Sequence, residues 1–553
     1  MSVEKLVVVG GVAGGASCAV RARRQSESAR IVMFERGPHV SYANCGLPYY
    51  VGGVIRDRAK LLVASVEMLR QQFQLDVRVR HEVLAIDRQA RKVRVRNLES
   101  SEEFDESYDA LVLSPGASPL RPPLPGIDRP GIFTVRSIPD VDSIKEWMDG
   151  REARRAVVVG GGFIGLEMAE NLRLAGLEVT IVEMLSQVLP PLDAEVAAPI
   201  HQHLAEHGVK LALGDGVASF EEASGGALSV VTRSGARHET DVVVLAIGVR
   251  PEAALARQAG LELGARGGIR VDERMRTSDP AIYAVGDVAE VKDFVTGQPT
   301  MVPLAGPANR QGRIAADVIM GREARYRGSQ GTSVVQVFDL TVAWTGATEK
   351  RLREAGIAYE KAYLYPLSHA GYYPGAEPLA FKLLFEPASG LLFGAQAVGK
   401  DGVARRIDVV AMALQKHGTV FDLEEAELCY SPQHGSAKDA VNMAGFIAAN
   451  HVRGDSPLVH WEALDGAAAS GRPPLVLDVR NLPERQGGAQ VEGAMHIPLP
   501  ELRARLGELP KGREIWVHCA MGQRAHYATR ILRQRGFDAR NLSGGFRLRK
   551  ARG

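Results

Sequence analysis

The sequence predicts an α/β protein with two doubly wound nucleotide-binding domains, an α+β interface domain and a small C-terminal α/β domain. A strand, a glycine turn, a helix and a second strand occur in this order in KLVVVGGVAGG and the residues after it. The same pattern returns about 150 residues later in AVVVGGGFIGLEMAENLRLAGLEVTIVE. From about residue 326 short strands and hairpin turns replace it, and strands alternate with helices again after residue 457. The βαβ alternation implies parallel sheets in the two nucleotide domains.

Composition limits the possible classes of protein. A chain of 553 residues is too long for one core and predicts several domains. A hydrophobic fraction of 45% and a net charge of +2 argue against a general attraction to nucleic acid or acidic membranes. The sequence has no run of 18 apolar residues, so we predict no transmembrane helix. The N-terminus enters a strand at Lys5, and no signal peptide is predicted. Four scattered cysteines favour a reducing cytoplasm over a disulfide framework, and we predict no metal site.

The two glycine turns set the domain boundaries. The first nucleotide-binding domain comprises residues 1–115 and 250–325, because the second, 116–249, is inserted into it. The interface domain follows at 326–449. A polar, turn-rich stretch at 450–456 is predicted to be a linker, and the C-terminal domain occupies 457–553.

The second glycine turn has the full spacing of a dinucleotide-binding motif. Gly160, Gly162 and Gly165 lie between a strand and a helix, where backbone amides approach a pyrophosphate. Glu183 ends the next strand, 18 residues past Gly165, where a carboxylate binds a ribose and repels a 2′-phosphate. Because the following residues up to Leu189 include no arginine or lysine, the sequence favours NADH over NADPH.

The first glycine turn runs from Gly10 to Gly15 and is less regular, since Val12 replaces the middle glycine. Glu35 at the end of the next strand supports a nucleotide site. A second segment, TSDPAIYAVGD, is typical of flavoproteins, because the glycine before Asp287 allows a close approach and the carboxylate can bind ribityl hydroxyls. An FAD domain interrupted by an NADH domain is therefore predicted.

Cys45 follows the second strand of the FAD domain and has no cysteine partner. Flavin disulfide reductases usually carry a C-x4-C pair there, but the position five residues on is Tyr50. A lone thiolate must obtain its second sulfur or oxygen from outside, as a mixed disulfide, a persulfide or a sulfenic acid. We interpret Cys18 and Cys429 as packing residues.

Residues 1 to about 448 resemble the single-cysteine pyridine nucleotide-disulfide oxidoreductases, and most closely the coenzyme A-disulfide reductases. The matching segments are SYANCGLPYYVGG, TSDPAIYAVGD, VPLAGPANRQGR, HAGYYPG and YSPQHGSAKD. The resemblance implies that Cys45 lies against the flavin as nucleophile or redox centre, as a thiolate stabilised by amides and by charge transfer. It also implies that Tyr372 reaches the active site of a partner across a homodimer, and that Tyr372 and Tyr430 are general-acid candidates.

The same resemblance implies a set of ligand-binding positions. Pro303 matches a cofactor-binding position, and Asn309 and Lys438 match flavin or substrate positions. The arginines of the first helix would otherwise suit a solvated helix face equally well, but they also suit a ligand with three phosphates. The implied coenzyme A-binding residues are Ser17, Arg21, Arg24, Ser41, Asn44, Asn309 and Lys438.

Residues 457–553 resemble a rhodanese domain, with LVLDVRN, EGAMHIPL, WVHCAMGQRA and NLSGGF in the order of that family. Cys519 opens a six-residue loop before a helix predicted at 525–534. Loop amides and the helix N-terminus are expected to converge on the sulfur, lower its pKa and hold the outer sulfur of a persulfide. Arg524 matches the arginine that orders this loop.

Together these features favour an NADH- and FAD-dependent reductase of persulfides, polysulfides and coenzyme A disulfides, with Cys519 as a sulfur carrier. One alternative is a single-cysteine NADH oxidase or peroxidase. Those enzymes place a histidine in the first glycine turn, where this chain has Ala13. The other alternative is a non-enzymatic NADH-sensing flavoprotein, which would need neither reactive cysteine.

Overall fold

The computed structural model describes residues 3–468, 473–488 and 490–551. They form two compact units. The first unit comprises residues up to 188 and 205–329, and the second comprises 189–204 and residues from 330 onward. The segment 189–204 lies within the predicted NADH domain but packs with the second unit. The reason is a buried contact that local sequence does not reveal, in which Asp193 and Gln396 exchange hydrogen bonds.

Two parallel five-stranded sheets form the framework of the first unit and confirm the predicted doubly wound domains. Their strands are short, valine-rich and almost wholly buried, as expected when helices cover both faces. In spatial order the first sheet consists of Ile282–Ala284, Ala110–Leu113, Lys5–Val9, Arg30–Glu35 and Asp76–Val79. The second consists of Lys210–Leu213, Glu178–Glu183, Arg155–Val159, Val242–Leu245 and Ile132–Thr134.

Smaller sheets and helices complete the first unit. The strands of the smaller sheets are His81–Asp87, Lys92–Asn97, Glu103–Ser107, Ala117–Pro119, Val217–Glu222, Leu228–Thr232, Arg237–Thr240, Val249–Pro251, Ile269–Arg270, Ala289–Lys292 and Pro299–Thr300. The helices are Ala13–Arg23, Leu47–Val51, Val66–Phe73, Ile138–Gly150, Phe163–Leu174, Ala254–Gln258 and Ala305–Ile319. Helices Ala13–Arg23 and Ala305–Ile319 pack so closely that a Cβ at Gly312 would lie 2.2 Å from the carbonyl oxygen of Gly14.

The second unit contains an antiparallel five-stranded sheet and a parallel five-stranded sheet. The first is the predicted α+β interface domain and the second the predicted C-terminal α/β domain. The antiparallel strands, in spatial order, are Ser333–Val337, Leu340–Gly346, Leu392–Gly399, Leu379–Phe385 and Glu360–Leu364. The parallel strands are Leu458–Val459, Ala539–Leu542, Ile515–His518, Leu475–Asp478 and Met495–His496. The helices are Ala194–Glu206, Glu349–Glu354, Val403–Gln415, Val420–Glu424, Ala440–Val452, Trp461–Ala468, Leu482–Gln486, Gln523–Gln534 and Gly545–Ala551.

The predicted linker at 450–456 differs from its expected form. Helix Ala440–Val452 continues through its first three residues. Ser456 is buried, and the Arg530 guanidinium donates a 2.7 Å hydrogen bond to the Asp455 carbonyl. The polar composition of this stretch reflects capping and salt-bridge contacts, so the connection is short and held at both ends.

A shared core joins the C-terminal domain to the interface domain. Tyr363 of the interface domain packs in one buried cluster with Trp461, Trp516 and Leu542. Lys361 bridges the same boundary, because its ammonium lies 2.7 Å from Glu462 and 3.0 Å from Glu349. The fully buried ammonium of Lys382 binds a cluster of carboxylates beside it: Asp193, Glu195 and Glu349. Among the described residues, no helix is long and apolar enough to cross a membrane.

Candidate active site

Both glycine turns have the close backbone approaches that a dinucleotide site needs. Gly10 has a φ of 96°, and a Cβ there would lie 2.1 Å from the Ser114 carbonyl oxygen. A Cβ at Gly15 would lie 1.9 Å from the carbonyl oxygen of Gly10, so neither position admits a side chain. Glu35 closes this turn by accepting a 2.8 Å hydrogen bond from the Gly11 amide. The first glycine turn therefore has the backbone geometry of a dinucleotide-binding turn, although Val12 replaces its middle glycine.

The second turn repeats this arrangement. The side chain of Glu183 accepts hydrogen bonds from the amides of Gly161, at 2.7 Å, and Leu185, at 2.8 Å. A Cβ at Gly165 would lie 2.0 Å from the Gly160 carbonyl oxygen. A Cβ at Gly162 would meet nothing within 4 Å, so the protein itself does not require a glycine there. That open space at a helix N-terminus is where a pyrophosphate fits.

Asp287 provides an independent test of whether FAD fits. The Gly286 amide donates a 2.7 Å hydrogen bond to Gln311, which fixes the turn, and burial raises the pKa of Asp287 to about 6. In the part of the chain that the structure describes, no group donates a hydrogen bond to this carboxylate. A half-buried acceptor without a donor suits a ligand rich in hydroxyls, as ribityl is, and the residues present therefore fit FAD. Pro303 is exposed.

Cys45 lies in the 3-10 turn Asn44–Gly46, directly before helix Leu47–Val51, and is exposed. The pKa of its thiol is raised, first by burial of the sulfur's surroundings and then by the charges of Glu167 and Asp287. The expected contribution of nearby amides is present but does not outweigh these effects in the protein alone. A backbone hydrogen bond lowers the pKa by less than these effects raise it.

Glu167 and Tyr49 are site residues that the sequence interpretation missed. Helix Leu47–Val51 packs against helix Phe163–Leu174, which begins at the second glycine turn. Tyr49 lies 3.4 Å from Glu167 across this contact, and burial raises the pKa of Glu167 to about 7. A carboxyl group that titrates near neutral pH can hold or release a proton during catalysis. Its only sequence signal is a glutamate inside the helix that follows the glycine motif.

The implied coenzyme A-binding residues of the first unit divide into two groups. Ser17 and Asn309 are hydrogen-bonded to each other, and Arg24 is exposed. Arg21 forms a 2.7 Å ion pair with Asp317 through its Nε. Two further positions lie in the segment before Cys45: Ser41, with a φ of 46°, and Asn44, whose amide is 3.4 Å from the Arg136 carbonyl.

The two tyrosines of the second unit meet. Their hydroxyl oxygens are 2.9 Å apart, while Tyr372 is 75% exposed and Tyr430 50% exposed. Lys438 is also exposed. Cys18 is buried as expected, but Cys429 is exposed, so its interpretation as a packing residue is wrong. The segment around Cys429 is not a strand, and alternation of faces does not apply to it.

The loop after Cys519 has the geometry of a sulfur-binding loop. The Gly522 amide donates a 3.1 Å hydrogen bond to the Cys519 sulfur, which is only 2% exposed. The first two loop carbonyls are bound by the amides of Phe546 and Arg547, at 2.8 and 2.9 Å. Gly545 permits this contact, since a Cβ there would lie 2.7 Å from the Cys519 carbonyl oxygen. The following helix begins at Gln523, two residues before the predicted start.

Carboxylates hold the two arginines beside this loop. Both terminal nitrogens of Arg524 donate to Glu484 at 2.6 Å. Arg480 is buried and paired with Asp478 at 2.8 Å. Glu484, Asp478 and Arg480 are further residues that the sequence interpretation did not select, although all three lie in or just after LVLDVRN.

Two dinucleotide folds and one exposed, unpaired thiol in the first unit define a dinucleotide-dependent thiol oxidoreductase. Residues 4–312 match the family described as pyridine nucleotide-disulphide oxidoreductase, and residues 332–440 match its dimerisation domain. Residues 461–551 match the rhodanese-like domain. The chain belongs to the pyridine nucleotide-disulphide oxidoreductases, and the recognised family and fold class are confirmed. Membership implies FAD and NAD(H) as cofactors.

Named relatives cover most or all of the chain. A coenzyme A disulfide reductase of Staphylococcus haemolyticus is 34% identical over 80% of this chain and 99% of its own. The crystal structure of reduced Bacillus anthracis CoADR-RHD is 50% identical, covers 100% of this chain and 98% of its own, and has a TM-score of 0.96. An NAD-dependent persulfide reductase from A. fulgidus is 37% identical, covers 98% and 99%, and has a TM-score of 0.88.

Proposed function

We propose that this protein uses NADH and FAD to reduce persulfides, polysulfides and coenzyme A disulfides through Cys45, and that Cys519 carries sulfane sulfur. One observation carries the proposal: an exposed, unpartnered thiol in a dinucleotide-binding unit is fused to a second thiol that is buried in an amide-lined loop. A single cysteine cannot form a disulfide within its own site. Its oxidised form must therefore contain an atom from the substrate.

The chain's own residues define the steps at Cys45. A Cys45 thiolate attacks the disulfide or persulfide, forms a mixed disulfide or persulfide, and releases a thiol. When bound, FAD supplies the two-electron transfer from NADH that cleaves this S–S bond. Tyr372 and Tyr430 are proposed to protonate the leaving sulfur, and Glu167 to hold a proton close to Cys45. Burial of Glu167 keeps that proton available near neutral pH.

Glu183 supports a preference for NADH. Its buried carboxylate is anchored by two amides at the strand end, where a 2′-phosphate would lie beside it. Repulsion of that phosphate costs about 1–3 kcal/mol, which corresponds to roughly ten- to a hundredfold in kcat/KM. Equal efficiency with NADPH would contradict this assignment.

Coenzyme A is proposed as a substrate, a bound carrier or both. Ser17, Asn309 and Arg24 remain candidates in the first unit, together with Ser41 and Asn44 beside the sulfur. In the second unit Lys438 remains a candidate. Arg21 also remains a candidate, since its ion pair with Asp317 is made through Nε. Domain boundaries are proposed as predicted from the sequence, except that residues 189–204 belong to the second unit and residues 450–452 to a helix.

A homodimer in a reducing cytoplasm is proposed as the working state. Tyr372 and Tyr430 are exposed in a domain that matches a dimerisation domain, and they would complete the partner's site. All four cysteines are free thiols, as expected in a reducing compartment. Light scattering tests the first point, since a fully active monomer would contradict it.

Steady-state NADH oxidation against a panel of acceptors tests the proposed function. The panel contains a short alkyl persulfide, inorganic polysulfide, coenzyme A disulfide, oxygen and hydrogen peroxide. We expect the sulfur compounds to be reduced with release of hydrosulfide or thiol. Turnover with oxygen or peroxide alone would replace the proposal with an oxidase or peroxidase.

A further inference from the structure

The guanidinium beside Cys519 is already occupied. Arg524 binds both oxygens of Glu484 through two hydrogen bonds of 2.6 Å, which is the bidentate geometry of a strong ion pair. Glu484 and, more weakly, Cys519 raise the pKa of Arg524, so both groups lie close to the guanidinium. One positive charge therefore faces two potential negative charges, so Arg524 offers no uncompensated charge to an anionic substrate.

The other nearby cations are also engaged. Arg480 is buried and paired with Asp478. The Arg547 guanidinium lies 4.6 Å above the ring of Tyr365 in the interface domain, while its backbone amide binds the loop. The loop positions between Cys519 and Arg524 carry no ionisable side chain.

Apolar and uncharged groups surround the loop instead. Met521 within it is exposed, and so is Tyr527, whose hydroxyl accepts a 3.0 Å hydrogen bond from Gln523. Leu482 is exposed two residues before Glu484. These side chains can contact the carbon skeleton of an organic donor, whereas a small inorganic dianion has no apolar part to contact them.

We propose that the Glu484–Arg524 ion pair determines donor specificity, directing Cys519 toward organic persulfides and against thiosulfate. This inference rests on the proposed role of Cys519 as a sulfane carrier. With an organic persulfide, the Cys519 thiolate attacks the outer sulfur of R–S–SH and the S–S bond breaks. The thiol R–SH leaves with the proton, and Cys519 keeps the anionic persulfide.

Thiosulfate would transfer the same sulfur with sulfite as the leaving group, so no oxidant or reductant distinguishes the donors. The difference is charge. The thiosulfate dianion must approach a thiolate and the Glu484 carboxylate with a single shared guanidinium to compensate. Repulsion over such distances is worth at least tenfold in rate by an order-of-magnitude estimate.

The experiment measures loading of Cys519 in the full-length, FAD-containing protein, using thiosulfate and a short alkyl persulfide as probes. Peptide mass mapping counts the sulfur added to Cys519 and separates it from sulfur on Cys45 or Cys429. The unmodified protein should prefer the alkyl persulfide by about tenfold or more. Glu484→Gln should move this ratio toward thiosulfate by about tenfold, and that gain should decrease as ionic strength rises.

Two further variants separate charge from loop order. Met521→Lys adds a cation at an exposed loop position without disturbing the ion pair and should shift the ratio in the same direction. Glu508→Gln removes a carboxylate from the exposed Arg505 pair of the same domain and should leave the ratio unchanged.

An unmodified protein that accepts both donors equally would overturn the inference. So would a Glu484→Gln variant that loses both donors in parallel, together with a Met521→Lys variant whose ratio does not change, because Glu484 would then only order the loop. Failure of every donor to load Cys519 in the unmodified protein would instead remove the proposed carrier function, and this inference with it.

Discussion

The two thiols of this chain lie in opposite environments. Cys45 is exposed on a short turn, and its pKa is raised first by the partial burial of its sulfur and then by the carboxylates of Glu167 and Asp287. Cys519 is buried in a loop, where an amide donates to its sulfur and Arg524 lies nearby. The protein therefore prepares an anion-binding loop around Cys519 but leaves the thiolate of Cys45 to be stabilised by a bound partner.

This difference agrees with two kinds of sulfur chemistry. A carrier thiol must hold a persulfide by itself between donor and acceptor, so its protein surroundings supply the hydrogen bonds. A redox thiol that reacts next to a cofactor needs an ionisation that responds to that cofactor. Before the cofactor binds, burial and the neighbouring carboxylates keep the pKa of Cys45 raised.

The largest expected effect is at Cys45. Cys45→Ser should accept hydride from NADH but lose turnover of every sulfur acceptor by about a thousandfold or more, because a hydroxyl oxygen cannot form the mixed disulfide. Anaerobic stopped-flow reduction and steady-state turnover measure the two halves separately. Cys429→Ser is the matched control, since this thiol is also exposed and should be dispensable. Substantial turnover of sulfur acceptors by Cys45→Ser would show that Cys45 is not the redox thiol.

Cys519→Ser should have a narrower effect. Reduction of coenzyme A disulfide should be unchanged, whereas turnover of donors that load the carrier loop should fall by about ten- to a hundredfold. The ratio of the two activities in one preparation is the measurement. A variant that behaves like the unmodified protein on all sulfane donors, with and without coenzyme A, would show that the carrier loop takes no part in the cycle.

The hydrogen-bonded tyrosines Tyr372 and Tyr430 are proposed to supply a proton to the leaving sulfur. Tyr372→Phe or Tyr430→Phe should each lower kcat with disulfides by about tenfold, within the usual range for general acids, and the double variant by clearly less than the roughly hundredfold loss that independent effects would give. The reason is that the two hydroxyls share one hydrogen bond, which raises the pKa of Tyr372, so the single effects should not add. Tyr373→Phe, on the neighbouring exposed ring, should be close to unmodified; equal loss there would indicate interface packing.

The smallest effect concerns the ionisation of Cys45. Glu167→Gln removes a negative charge that raises the pKa of this thiol, so the thiol should ionise at lower pH. Glu167 has a pKa of about 7, so the shift should grow above neutral pH, where its carboxylate is charged. The pH dependence of iodoacetamide labelling, mapped to Cys45, should move to lower pH by less than about one unit. Glu178→Gln, which removes an exposed carboxylate paired with Lys210, is the control, and an unchanged profile in Glu167→Gln would remove Glu167 from the site.

Local sequence predicts those parts of the site that local backbone geometry creates. The strand ends at Glu35 and Glu183 and both glycine turns occur where the valine runs and glycine spacings place them. Their positions depend on hydrogen bonds between adjacent strands and on close approaches within a few residues. The single-thiol turn and the carrier loop were predictable for the same reason.

Tertiary packing determines the rest. Glu167 reaches the Cys45 region only because two helices from different nucleotide domains pack together, and Arg21 is neutralised by Asp317, 296 residues away in sequence. Neither partner can be read from the periodicity of its own helix. The polar stretch near 450–456 has the composition of a linker, yet its side chains are used in caps and ion pairs.

The shared core around Tyr363 has a practical consequence for anyone who wishes to produce the halves separately. Ending the chain near residue 456 would uncover the face of Tyr363 and leave Lys361 without Glu462. A preparation of the C-terminal half alone would likewise expose Trp461 and Leu542. Shortened proteins should therefore aggregate or express poorly, and their inactivity would say nothing about which thiol performs which reaction.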